Sequence, residues 1–116
     1  MNDTFEYDIK TKNNFAVISL KGVLNKNALG KMETLHQELL SCKARSYVLS
    51  FKDVLSVDAS INRHLSIIQQ DIRKDKKTLY LIGLNLMVKQ RLNEKGIIRL
   101  SEIKASLEDI PGHKSP

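Results

Sequence analysis

The chain has 116 residues, of which 41% are hydrophobic and 28% charged, and its formal net charge is +6. A domain typically contains about 100–200 residues, so this length predicts one domain and excludes a multidomain enzyme. The apolar stretches are far shorter than the roughly 20 residues that span a bilayer, which excludes an integral membrane segment. Residues 1–8 lack the basic start and apolar centre of a secretory signal, so we expect a cytoplasmic protein.

The first half of the chain predicts a hairpin, a helix and a strand. Residues 6–10 and 15–21 alternate between apolar and polar, and the turn-forming pair Asn13-Asn14 lies between them. Residues 28–42 place apolar side chains at helical spacing and predict an amphipathic helix. The short apolar run 47–51 predicts a buried strand, because it is too short for a helix and rich in β-formers.

The middle of the chain predicts a loop, a helix and a strand. Residues 52–60 predict a loop, with room for a second short extended piece. From Ser60 onwards apolar residues recur at helical spacing and predict a second helix, whose buried face is Ile61, Leu65, Ile68 and Ile72. Basic residues within 73–77 suit the carbonyl end of that helix. Residues 78–82 predict another buried strand.

The last part of the chain predicts a helix, a short strand and a final helix. Asn85 is expected to cap a helix that buries Leu84, Val88 and Leu92 and ends at Gly96. Residues 97–99 predict a short strand. Ser101 is expected to cap the last helix, which Pro111 stops and whose buried face is Ile103, Leu107 and Ile110.

This order of elements, β-β-α-β-α-β-α-β-α, predicts an α/β fold. We expect a single domain over residues 1–112, with a mixed, mostly parallel β-sheet opened by a β-hairpin and about four α-helices. Residues 113–116 are expected to form a flexible tail. No metal ligand spacing, phosphate loop or nucleophile motif is present in the sequence, so we expect no cofactor, no metal and no enzyme activity.

Three stretches carry motifs in the order of these elements. Residues 47–60, YVLSFKDVLSVDAS, lead from an apolar strand to an Asp-Ala-Ser sequence at a predicted helix start. Residues 20–25, LKGVLN, precede the first helix. Residues 79–83, LYLIG, lead through Val88, Leu92 and Gly96 to the pair Ile97-Ile98. These stretches resemble the D-[ST]-[ST]-G, L-x-G-x-L-D and T-G-L-x-x-x-F motifs of the STAS domain, the fold of bacterial anti-sigma factor antagonists. The resemblance covers residues 6–110.

The resemblance implies a phosphorylation switch. In that family the serine or threonine of the motif is phosphorylated by the anti-sigma factor, a serine kinase with an ATPase fold, and the unphosphorylated form binds that kinase and frees the sigma factor. Carried over, Ser60 is the phosphoacceptor. The implied partner-binding residues are Asn25, Asn27, Asp58, Ala59, Ser60, Ile61 and His64. Two of them depart from the family pattern, because Ile61 stands where the family has Gly and Asn25 where it has Asp.

Alternatives remain open for the site and for the function. Either Asp58 or Ser60 is suited to cap the second helix instead, since Asp and Ser are preferred N-cap residues. A second function is a STAS docking module without phosphorylation, such as an accessory subunit that binds an ATPase subunit of an ABC-type phospholipid transport system. The strands lack interleaved basic and aromatic residues, so nucleic acid is not an expected partner. Dimerisation of the chain through its hairpin is left open.

Overall fold

In a computed structural model, residues 5–12, 14–94, 102–104 and 110 are described. The elements, in chain order, are β1 (Phe5–Lys12), β2 (Phe15–Leu24), a short 3-10 helix (Lys26–Ala28), α1 (Leu29–Ser41), β3 (Ser46–Val57), α2 (Ala59–Lys74), β4 (Thr78–Ile82), α3 (Leu86–Glu94) and β5 (Ile103–Lys104). Among the helices of these ranges, none is long and apolar enough to cross a membrane.

The sheet has the order β1-β2-β3-β4-β5. β1 and β2 form the predicted antiparallel hairpin, and Asn14 adopts a φ of 69°, a left-handed conformation that Asn tolerates better than most residues. The pairs β2–β3, β3–β4 and β4–β5 are all parallel. The predicted mixed, mostly parallel sheet is therefore confirmed. Its parallel pairing brings the carboxyl ends of β2 and β3 together, with Leu24 opposite Val57.

The main core lies between one face of the sheet and the first two helices. Alternate strand residues point to this face, as the period of a strand requires, and they meet the apolar stripes of α1 and α2. The fully buried residues of this layer include Ile18, Leu20, Met32, Leu35, Tyr47, Leu49, Ile61, Ile68, Leu79 and Leu81. A smaller cluster on the opposite face packs Phe15, Val48 and Ile82 against Ile110.

The end of the chain differs from the prediction. Ile103, expected on the buried face of a last helix, lies instead in β5, opposite Leu81 of β4. The free edge of β4 offers backbone partners, and this tertiary pairing overrides a weak helical pattern. The described ranges contain three α-helices against about four expected. The predicted strand at 97–99, the cap at Ser101 and the tail at 113–116 lie outside the described residues.

β3 is longer than predicted. The sequence predicts a strand over 47–51 and then a loop with room for a short extended piece, whereas one strand runs from Ser46 to Val57. Its second half pairs with β2 through two register shifts, which let a polar stretch without strict alternation stay in the sheet. β4 ends opposite Ser50, so the second half of β3 extends beyond β4. This extension carries the chain to the candidate functional site.

Candidate functional site

The site lies where loops leave the carboxyl ends of the parallel strands. The backbone N–H of Asp58 donates a hydrogen bond of 2.7 Å to the carbonyl oxygen of Leu24. This bond ties the start of α2 to the end of β2, so the loop at 25–27 and the segment 58–60 share one edge of the sheet. In open α/β sheets, binding sites form preferentially at this edge.

Asp58 and Ser60 form a hydrogen-bonded pair at the start of α2. Asp58 occupies the N-cap position with extended backbone (φ −86°, ψ 153°), and its carbonyl oxygen accepts the N–H of Ile61 at 3.0 Å. Its carboxylate makes no capping bond to the helix and instead accepts the hydroxyl of Ser60, with Oγ 3.2 Å from Oδ2. Asp58 therefore occupies the N-cap position but makes no capping bond with its side chain. Ser60 is the second residue of the helix, so its interpretation as an N-cap is wrong.

The predicted site residues on α2 differ in how far they reach the surface. Asp58, Ala59 and Ser60 are exposed, and His64, one turn further along the helix, is half-buried. Ile61 is 0% exposed and packs in the main core. The side chain of Ile61 therefore cannot contact a partner, because an apolar residue at this helical position points to the sheet. Its role is to anchor the first turn of α2 beneath the exposed pair.

The two asparagines of the other predicted segment shape the loop after β2. The side-chain Oδ1 of Asn25 accepts the N–H of Asn27 at 2.9 Å, and its carbonyl oxygen accepts the N–H of Ala28 at 2.8 Å. Asn25 is thus the N-cap of the 3-10 helix and is half-buried, whereas Asn27 is exposed. An amide oxygen serves in this cap as a carboxylate would, without its charge.

An exposed apolar patch lies beside this edge and was missed by sequence reasoning. Its members are Leu55, Leu86 and Met87, which are 73%, 70% and 67% exposed. Together with residues 56–57, 85 and 88 they line a groove of about 470 Å³ between the end of β3 and the start of α3. Exposed large apolar side chains grouped at one place are typical of interaction sites. The sequence contains a weak signal for this exposure. Leu86, Met87 and Val88 are consecutive apolar residues of one helix, and they cannot all lie on its buried face.

Gly83 lets the chain pass close to β3 after β4 and so positions the start of α3 within the patch. It adopts a φ of +71°, and a Cβ at this position would lie 2.7 Å from the backbone nitrogen of Lys52. Only glycine lets the chain leave β4 so close to the backbone of β3. Asn85 then accepts the N–H of Val88 through Oδ1 at 2.8 Å, and this confirms the predicted helix cap. The start of α3 is thereby placed next to Leu55.

Comparison with known proteins gives matches at the level of the fold. No family model matches the sequence, and no curated protein does. An anti-sigma factor antagonist from Mycobacterium paratuberculosis has a TM-score of 0.82 at 11% identity, over 94% of this chain and 92% of that chain. The Bacillus cell fate determinant SpoIIAA in its phosphorylated form has a TM-score of 0.71 at 11% identity, over 90% and 94%. The murine anion transporter Slc26a9 has 0.67 at 12% identity, over 86% of this chain and 17% of that chain.

The fold class follows from this arrangement. A hairpin that opens a mixed, mostly parallel sheet, with α1 and α2 packed against one of its faces, is the α/β fold that this chain shares with the anti-sigma factor antagonists. The fold is that of the STAS domain, so the fold that the sequence motifs predicted is confirmed. At identities of 11 to 12% the likeness concerns the fold, and function must be argued from the residues of the site.

Proposed function

We propose that this chain is a regulatory protein of the anti-sigma factor antagonist type, which binds an anti-sigma serine kinase and is switched by phosphorylation of Ser60. The observation that carries the proposal is the exposed hydroxyl of Ser60 in the first turn of α2. The hydroxyl donates to Asp58 at 3.2 Å, which orients a lone pair of the oxygen towards solvent. A kinase can therefore approach Ser60 without unfolding any element.

The first turn of α2 suits a phosphate. Backbone N–H groups at a helix start and the positive end of the helix dipole both favour an anion. The first turn contains no acidic residue, and Arg63 and His64 follow Ser60 at the spacing that brings side chains to the same helix face. A phosphate on Ser60 adds about −1.5 to −2 charges there. Phosphorylation replaces the hydroxyl hydrogen that Ser60 donates, so the bond to Asp58 is lost, and the phosphate and the carboxylate then repel each other.

The same surface suits a partner in the unphosphorylated state. The apolar patch offers desolvation energy, and the adjoining Asp58 and Ser60 offer polar contacts. A phosphate at Ser60 puts a strongly solvated dianion at the rim of this surface. A partner that presents a carboxylate or a bound nucleotide opposite Ser60 is then repelled, while the fold of this chain is unchanged.

The test uses the chain as bait in lysate of its source cell, with wild type, Ser60→Ala and Ser60→Glu compared by mass spectrometry. We expect wild type and Ser60→Ala to retain a serine kinase with an ATPase fold, and Ser60→Glu to lose it. The purified kinase with labelled ATP should phosphorylate wild type and fail on Ser60→Ala. Ser19→Ala is the matched control, because Ser19 is also exposed but lies in the middle of β2, outside the candidate site, and should leave the labelling unchanged.

The second candidate function is a docking module that works without phosphorylation, for example on an ATPase subunit of a transport system. It is favoured by the likeness to part of an anion transporter, of which this chain covers 17%. On this alternative, all three baits retain the same partner equally, and no kinase labels Ser60. That outcome contradicts the phosphorylation switch and agrees with a binding surface that works without it.

A further inference from the structure

β1 forms an open edge of the sheet. Among the residues that the structure describes, β1 pairs with β2 on one side and has no strand on the other. The carbonyl oxygen of Phe5 accepts the ammonium of Lys31 at 2.9 Å, so Phe5 directs this group away from β2. Because backbone groups alternate in direction along an antiparallel strand, Tyr7, Ile9 and Thr11 also turn their N–H and C=O groups outwards. Such an edge can pair with another chain.

The solvent face of β1 carries an ordered set of charges. Glu6, Asp8, Lys10 and Lys12 are exposed and alternate with the residues that face α1. The order along the strand is acid, acid, base, base. Within the described part of the chain, none of these charges forms an ion pair. The centre of the pattern lies between Asp8 and Lys10, at Ile9.

We propose that β1 pairs antiparallel with β1 of a second copy of this chain, with Ile9 opposite Ile9. In this register Asp8 lies opposite the second copy's Lys10, and Glu6 lies opposite its Lys12. The two-fold axis repeats both pairs, so every charge on this face meets an opposite charge. The interaction does not depend on the proposed function, because β1 lies at the edge of the sheet and the candidate site at the carboxyl ends of its strands.

The charges select this register over its neighbours. A slip by two residues in one direction places Asp8 opposite itself, and a slip in the other direction places Lys10 opposite itself. Like charges directly opposite each other destabilise a strand pair. Odd slips exchange the two faces of the strand and are excluded, because the inner face of β1 is covered by α1. The pattern therefore specifies one alignment.

The backbone agrees with the charge pattern. Tyr7, Ile9 and Thr11 take the hydrogen-bonded positions of the new pair, since their backbone groups face outwards. The charged residues then take the positions between them, where opposing side chains are closest. On the helix side, a groove of about 380 Å³ lies next to the edge, between Ile9 and residues 34–42 at the end of α1. It leaves room for the second copy's Ile9 side chain.

The test reverses single charges on β1 and measures the molar mass by sedimentation as a function of protein concentration. We expect the wild type to dimerise reversibly, more strongly at low ionic strength than at high. Asp8→Lys places two lysines opposite each other, and Lys10→Asp does the same with two aspartates. The dimer dissociation constant of each variant alone should therefore be at least about tenfold higher than that of the wild type. An equal mixture of the two variants restores both opposite pairs and should form a heterodimer.

Two controls separate pairing from general effects. Asp75→Lys makes the same change in net charge at the exposed end of α2 and should dimerise as the wild type does. Thr11→Pro removes an outward N–H without touching the bonds to β2, and it should weaken the dimer with the fold intact by circular dichroism. A wild type that stays monomeric at all concentrations overturns the proposal. So does a dimer that is unaffected by Asp8→Lys.

Discussion

The hydroxyl of Ser60 lies 3.2 Å from the carboxylate of Asp58, and this exposed pair contributes little to the stability of the fold. Neither side chain caps the helix, because the carboxylate accepts the hydroxyl and not a backbone N–H. The pair is therefore free to serve binding and modification. If the pair served to stabilise the fold, truncation of Ser60 would lower the free energy of unfolding.

Ser60→Ala should change the free energy of unfolding by less than about 0.5 kcal/mol, as is usual for a surface residue outside special structural roles. Alanine is also the better helix former at the second position of α2. Urea denaturation followed by circular dichroism measures the change. A loss of about 1 kcal/mol or more contradicts this expectation, since it is the cost of removing an N-cap.

Gly83→Ala should destabilise the protein by about 1–3 kcal/mol, because alanine is strained at a φ of +71° and its Cβ would meet the backbone of Lys52. Gly30→Ala is the matched control. Gly30 lies in α1 with nothing within 4 Å of an added Cβ, so this change should be neutral or stabilising. Thermal unfolding of both variants checks the pair of outcomes. Equal destabilisation at the two positions contradicts the explanation.

Periodicity in the sequence predicted the parts of the fold that the main core specifies. The apolar stripe of α2, from Ile61 to Ile72, is an example, because burial against a sheet requires that spacing. The same reasoning failed at Ile103, where the free edge of β4 decides the conformation. Pairing between segments distant in the chain leaves no local pattern in either segment.

The candidate site was predicted in part. The Asp58 to Ser60 segment follows from the motif, and its place at a helix start is confirmed. The apolar patch was not predicted, because exposure of Leu55 and Leu86 depends on how the chain crosses Lys52 after Gly83. Burial of Ile61 was available from the helical spacing, but the motif assigned that residue to the surface.

Glu102→Ala should destabilise the protein by about 1–3 kcal/mol, the cost of leaving a buried polar group without a partner. Its carboxylate accepts Gln69 Nε2 at 3.1 Å, and it accepts Arg73 at 2.7 and 3.1 Å. Gln69 is only 3% exposed, so its amide loses a buried hydrogen bond when the carboxylate is removed.

Glu102→Gln keeps an acceptor oxygen for these donors and should lose less stability than Glu102→Ala. Glu33→Ala, at an exposed glutamate of α1, should stay within about 0.5 kcal/mol of wild type. Chemical denaturation of the three variants gives the comparison. If Glu102→Ala is as stable as Glu33→Ala, the contacts of Glu102 do not hold the start of β5 against α2.

Tyr7 should make the stability of the protein depend on alkaline pH. Burial, then the hydrogen bond to Glu38 at 2.8 Å and the negative charge of Glu38, raise the pKa of Tyr7 to about 12 from its ordinary value of 10.0. A pKa raised in the folded state means that the unfolded chain loses this proton first. The contribution of Tyr7 to stability is therefore complete below about pH 10 and is lost as the pH rises towards 12.

Titration of tyrosinate absorbance in wild type and Tyr7→Phe isolates this group, because the difference between the two curves belongs to Tyr7. We expect its midpoint near 12, and Glu38→Gln should move it towards 10, since it removes the charge and keeps an acceptor oxygen. The fall in unfolding free energy between these pH values should be smaller in Tyr7→Phe than in wild type. A difference curve centred on 10 in the wild-type comparison shows that the Tyr7 to Glu38 contact between β1 and α1 does not persist in solution.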